Sequence, residues 1–93
     1  MTIRITAIRQ VGGQSHEHIS HLWWINPASG KTGDNSRTEI VKWIEDKDGK
    51  AYVDDGRGNR AEVLVVTPRH GDKYLRTYAD GQWTDNLLAL PRR

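Results

Sequence analysis

Cysteine is absent from the 93 residues. Disulfide frameworks, thiolate zinc sites and thiol nucleophiles are therefore excluded. Phenylalanine is absent too, against four tryptophans and three tyrosines, so a core built around indole rings is expected. No apolar run approaches membrane-spanning length. The first residues, Met1 to Thr6, alternate apolar and polar rather than forming the apolar stretch of a signal peptide. The expected setting is cytoplasmic, away from membranes. A charge excess of one sign is also lacking: 14 Lys and Arg face 12 Asp and Glu, and Arg92 and Arg93 account for the whole net charge of +2. Affinity for a phosphate backbone rests on clustered cations. A balanced chain ending in a basic tail, residues 91–93, reads instead as a mixed-charge solubilising surface.

The length leaves room for a single domain over residues 1–93 with one core. Ile3, Ile5 and Ala7 alternate with Thr2, Arg4 and Thr6, a period of two that predicts a strand over 2–10 with one buried face. Gly12-Gly13 supplies a turn, and residues 16–25, rich in β-branched and aromatic side chains, read as the returning strand. Residues 27–36 are small and polar with no periodic apolar positions, which predicts an exposed loop. Ser36 with Glu39 forms a capping-box signature. The helix after it presents Ile40, Val41, Trp43 and Ile44, and Gly49 is placed for a left-handed C-terminal cap. Strands follow at 51–53, 61–66 and 73–79. The consecutive apolar run Val63 to Val66 suits a central strand covered on both faces. Asp80-Gly81 is a tight-hairpin signal leading into Gln82-Trp83-Thr84, and Leu87, Leu88 and Leu90 offer an apolar anchor near the C-terminus. The expected fold is α+β, a mainly antiparallel sheet of five or six strands with one helix on one face, in the order ββαβββ, with a further short C-terminal strand as a variant.

Ile5-Thr6-Ala7-Ile8-Arg9, His16-Glu17-His18-Ile19, the helix from Thr38 to Ile44, and above all Tyr74-Leu75-Arg76-Thr77-Tyr78-Ala79-Asp80-Gly81 with Thr84-Asp85-Asn86-Leu87-Leu88 resemble a family of small bacterial and phage proteins, domain of unknown function 3892. The resemblance covers nearly the whole chain. It implies a compact stand-alone domain and carries no activity.

The motifs point to binding rather than to catalysis. Gly30-Lys31-Thr32 is not a phosphate loop, because the glycine such a loop needs five residues earlier is replaced by Ile25. His16 and His18, two apart on a strand, would share a face, and with His70 they form a weak candidate metal set; the competing account is that they fasten the Gly12-Gly13 turn. Trp23 and Trp24 are adjacent, so one must face away from the core. The second ring is either covered by the helix or the C-terminal leucines or left as an exposed partner anchor, for which Trp24 is the candidate. Arg69, His70 and Lys73, with Tyr74, Arg76 and Trp83 brought near by the hairpin, form the densest functional-looking group. They could hold an anion or a base, or pair internally with Asp72, Asp80 or Asp85. No serine elbow, cofactor fingerprint or paired catalytic carboxylates are present. The chain therefore reads as a non-enzyme without a cofactor, either a protein-interaction or self-assembling module or, as the alternative, a nucleotide or nucleic-acid binding module.

Overall fold

The computed structural model describes residues 1–93. Strand β1 (Thr2–Gln10) runs into a short 3-10 turn at His16–His18 and returns as β2 (Ile19–Ile25). Next come β3 (Thr32–Ser36), the helix α1 (Arg37–Lys47), and the strands β4 (Lys50–Asp54), β5 (Arg60–Val66), β6 (Tyr74–Ala79) and β7 (Gln82–Thr84). All seven strands join one sheet in the order β3-β2-β1-β4-β5-β6-β7. The sheet is mixed: β1 pairs parallel with β4 through Thr2–Lys50, Ile3–Ala51 and Arg4–Tyr52, while the neighbouring ladders elsewhere are antiparallel. The fold is thus α+β with one helix, and it has seven strands where five or six were expected.

The extra strand lies in the segment read as an exposed loop. Residues 32–36 pair with β2 from Thr32–Ile25 to Ser36–His21, and β3 forms one edge of the sheet. Its residues carry no apolar period because backbone pairing holds it there and its side chains serve β2. Asn35 Oδ1 accepts a hydrogen bond from Trp24 Nε1 at 2.8 Å, and Asp34 Oδ2 meets His21 Nε2 at 2.6 Å. Gly33 is required by contact, since a Cβ there would stand 2.5 Å from the Trp24 ring.

The helix begins as its residues dictate. Ser36 Oγ accepts from the Glu39 N–H at 3.2 Å, and Glu39 Oε1 accepts from the Ser36 N–H at 2.9 Å, so both halves of the capping box are made. These bonds hold the Glu39 carboxyl below its usual range. At the other end the left-handed residue is Asp48, at φ 56°, and not Gly49. Aspartate tolerates that region, and Gly49 is needed for room, because a Cβ on it would lie 2.3 Å from the Trp43 ring.

The core is aliphatic, contrary to the expectation from composition. Ile3, Ile5, Ile8, Ile19, Leu22, Ile40, Val41, Val53, Val63, Leu75 and Leu87 are among its buried members, and Trp24 and Trp43 are half-buried at its border. Two irregularities shape it. The β1–β2 register shifts between Ile5 and Ala7, a bulge that breaks strict alternation. Ile5 and Ile8 can then both join the core, and Arg4 and Arg9 come to the same outer face. β5 is also covered less than expected: Ala61 and Val63 are buried, Glu62 is exposed, and Leu64 to Val66 are half-buried. The strand with three consecutive buried residues is β4, at Ala51, Tyr52 and Val53, in the middle of the sheet.

Finally, the sheet curls. The 3-10 turn next to β1 touches β6, three places away in the strand order, a distance of about 14 Å in a flat sheet. α1 likewise touches β2, β3 and β6. After β7, the chain buries Leu87 completely and reaches β1, where the Ile8 N–H donates to the Pro91 carbonyl at 3.0 Å and the Arg93 N–H to the Ile8 carbonyl at 2.9 Å. Residues 91–93 are therefore no free tail: Arg92 forms a parallel bridge with Ile8.

Candidate functional site

The β6–β7 hairpin turns on Asp80 and Gly81, both at positive φ, 53° and 81°. That geometry fits the Asp-Gly sequence. On β6, the buried Leu75 and Thr77 alternate with the half-buried Tyr74, Arg76 and Tyr78. Tyr78 stands opposite Trp83, and their rings meet edge to face with centroids 5.2 Å apart. Trp83 remains 44% exposed, more than any other tryptophan.

The cations around this hairpin have partners. Arg76 Nη2 donates to Asp85 Oδ1 at 3.1 Å and Arg76 Nε to the Thr84 carbonyl at 3.3 Å. Lys73 Nζ donates to both Glu45 carboxylate oxygens, at 3.0 and 2.9 Å, tying the loop before β6 to the helix. Asp72 lies 3.7 Å from Arg37, whose Nη1 also donates to the Glu17 carbonyl. Arg69 and His70 are exposed, with no side-chain hydrogen bond or ion pair. Of the group read as an anion site, Tyr74, Arg76 and Trp83 belong to one hairpin surface. Lys73 is drawn toward α1, and Arg69 and His70 project separately.

The histidines do not act together. His16 and His18 sit in a 3-10 turn rather than on a strand, so the shared face expected of them does not exist. His18 Nδ1 lies 2.7 Å from Ser15 Oγ, and its ring packs against Gly13, where a Cβ would approach to 2.5 Å. His18 thus fastens the turn, through the Ser15 hydroxyl and ring packing rather than through the backbone hydrogen bonds expected of the histidines. His16 is buried with Nε2 unbonded, the Asp85 carboxylate at 3.8 Å being too far for a hydrogen bond. Burial and then the Arg76 charge push its pKa down, against a smaller upward pull from Asp85 and Glu17. His70 is distant in role as well as exposed, and no three His, Asp or Glu side chains come together as a metal site would require.

The tryptophan pair places Trp24 under the helix, so the anchor reading of that residue does not hold. Trp24, read as the anchor, packs against the core beside Ile3, Ile40 and Trp43. Trp23 is the one on the outer face. The Arg9 and Arg93 guanidiniums lie 5.2 and 5.0 Å from its ring centroid, and His21 meets it edge to face at 4.9 Å. Sequence reasoning missed this cluster because its arginines come from opposite ends of the chain. The sequence carried only the break in alternation at Ala7-Ile8 and the basic C-terminus, neither of which says that the two meet.

Fold and surface define a small one-helix α+β domain with a curled mixed sheet, aromatic and arginine side chains on its outside, and no helix long and apolar enough to cross a membrane. Within that class, the chain belongs to the family described as protein of unknown function (DUF3892), whose model matches residues 4–91. The resemblance carried by the β6–β7 segment is thereby borne out. No curated protein and no solved structure matches the chain.

Proposed function

We propose that the chain is a small non-enzymatic module, acting in the cytoplasm, that binds a protein surface through the β6–β7 hairpin. The observation that carries this reading is Trp83, 44% exposed on a three-residue edge strand and braced edge-on by Tyr78. A rigid, part-exposed indole beside a hydrogen-bonded arginine is the make-up of an interface anchor. The nearby cations Arg76 and Lys73 are matched by Asp85 and Glu45, so contact there gains little from charge. The same pairing takes support away from a nucleotide site on Lys73 and Arg76, and leaves Arg69 and His70 as its unpaired remainder.

The first partner to test is a second copy, since β7 leaves one edge of the sheet open and two such edges can pair about a twofold axis. Sedimentation equilibrium over a wide concentration range is expected to show wild-type mass rising toward that of a dimer. Trp83→Ala, at an exposed position, stays folded and is expected to remain a monomer. A wild-type mass that stays at one chain throughout removes self-assembly. Equal retention of other proteins by wild type and Trp83→Ala removes the hairpin as the contact.

A further inference from the structure

We infer that the outer face of β1 and β2, around Trp23, is a binding surface for the phosphodiester backbone of a nucleic acid. Four arginines from the two ends of the chain meet there. Arg9 and Arg93 both lie over the Trp23 ring, and Arg9 Nε donates to the Arg93 carbonyl at 2.8 Å. Arg4 and Arg93 border a depression of about 450 Å³ that reaches Trp23. Arg92 is fixed beside them, with Nε donating to Gln10 Oε1 at 2.9 Å and Nη1 to the Leu88 and Leu90 carbonyls at 2.7 and 2.6 Å. None of the four has an aspartate or glutamate side chain within ion-pair distance, and Arg9 alone is held by the main-chain oxygen of Arg93, the last residue of the sequence. Two carboxylates border the face, Asp34 hydrogen-bonded to His21 and Asp54 to the Gly56 N–H at 2.8 Å, so the four arginines outnumber them.

Three features select the ligand. Arg4 and Arg9 are five positions apart on one strand, about 16 Å at the rise of a β-strand, so the charge is spread along a line that a polymer of repeated anions can follow and a single anion cannot. The depression beside Arg9 is lined by Gln10, Gly13, Gln14, Arg92 and Arg93 and by no hydrophobic residue, whereas a protein contact needs an apolar centre. Two guanidiniums already lie over the Trp23 ring, which presents arginine forks for phosphate in place of an open platform for stacking bases. Recognition is therefore of backbone rather than of sequence.

The test uses the full chain and dye-labelled mixed-sequence DNA, single-stranded and duplex, read by fluorescence anisotropy. Binding to either form is expected to weaken with salt, with a log–log slope of about 2 for single strands if Arg4, Arg9 and Arg93 each displace one counterion. The triple variant Arg4→Gln/Arg9→Gln/Arg93→Gln is expected to lose at least tenfold in affinity. A control, Lys47→Gln/Arg69→Gln, changes two exposed cations away from this face and should stay within twofold of wild type. Arg4→Gln alone, which removes no hydrogen bond, should lose several-fold and guards against misfolding of the triple variant. Wild type that does not bind either DNA at low salt overturns the proposal, as does a control that weakens as much as the triple variant. Displacement of the DNA by polyglutamate at equal charge would also overturn it, by showing that the face does not prefer phosphate. Trp83→Ala should leave DNA binding unchanged, so this inference and the hairpin reading fail separately.

Discussion

Two tryptophans sit outside the core, each with arginine close by, and the two surroundings differ in how their charge is matched. At the β6–β7 hairpin, Arg76 meets Asp85 and Lys73 meets Glu45. Around Trp23, Arg4, Arg9, Arg92 and Arg93 have no aspartate or glutamate side chain within ion-pair distance. Along the sequence the order looks reversed, because Arg69 to Arg76 is the dense cationic stretch, while the Trp23 arginines are scattered between residues 4 and 93. Local density of a charge says little about its local field, since the neutralising partner usually comes from another element. A nearly neutral chain can still carry a positive face when its carboxylates are spent elsewhere.

The comparison breaks most severely if the segment joining the two regions is loosened. Leu87 is wholly buried between β7 and the bridge to Ile8, and Leu87→Ala is expected to cost about 2 to 5 kcal/mol, measured by urea unfolding. The variant should also bind DNA more weakly, since Arg92 and Arg93 are delivered by that segment. A stability loss with unchanged binding would mean that backbone pairing alone seats the arginines.

A second handle is pH. His16 lies beneath the matched pair, near Arg76 and Asp85, with Glu17 also facing it, and its folded-state pKa is lowered from 6.5. The folded state therefore favours the neutral ring. The stability this represents is present above pH 6.5 and is lost as pH falls toward the folded-state value. The melting temperature of wild type is expected to drop on acidification through that window, and His16→Gln should flatten the drop. A wild-type curve that rises on acidification, or an unchanged drop in His16→Gln, would place the pH response elsewhere.

The smallest effect sharpens the contrast directly. Asp85 has a side chain 72% exposed, so Asp85→Asn should change stability by less than about 1 kcal/mol. It frees Arg76, and the hairpin should then gain weak, salt-sensitive DNA affinity that wild type lacks there, visible once the triple arginine substitution has silenced the other face. No gain would show that unmatched charge alone does not make a site on this sheet.

Much of the fold was legible where one residue type forces one geometry. The capping box at Ser36 and Glu39 and the Asp80-Gly81 hairpin both rest on local bonding rules, and both hold. β3 was illegible because an edge strand held by backbone pairing needs no apolar period, and Thr32 to Ser36 has none. The 3-10 turn at His16 hid in the same way, since a three-residue helix has no period to read. Of the candidate site, Trp83, Tyr74 and Arg76 were recoverable because a hairpin brings near residues together. The Trp23 arginines were not, because one bulge and a contact spanning 84 residues of sequence decide their meeting.

The parallel pairing of β1 with β4 also has a bearing on how the chain gets to its native state. The other neighbouring ladders join strands consecutive in sequence, β1 to β3 on one side and β4 to β7 on the other. Each set can zip locally at small loop-closure cost, and each doubling of a closed loop adds only about 0.6 kcal/mol. The expensive search is concentrated in one seam of three residue pairs, from Thr2–Lys50 to Arg4–Tyr52, and in the Ile8–Arg92 bridge. Topologically the molecule is two short meanders stitched along β1, a strand that is at once the second half's docking edge and the carrier of two of the four arginines.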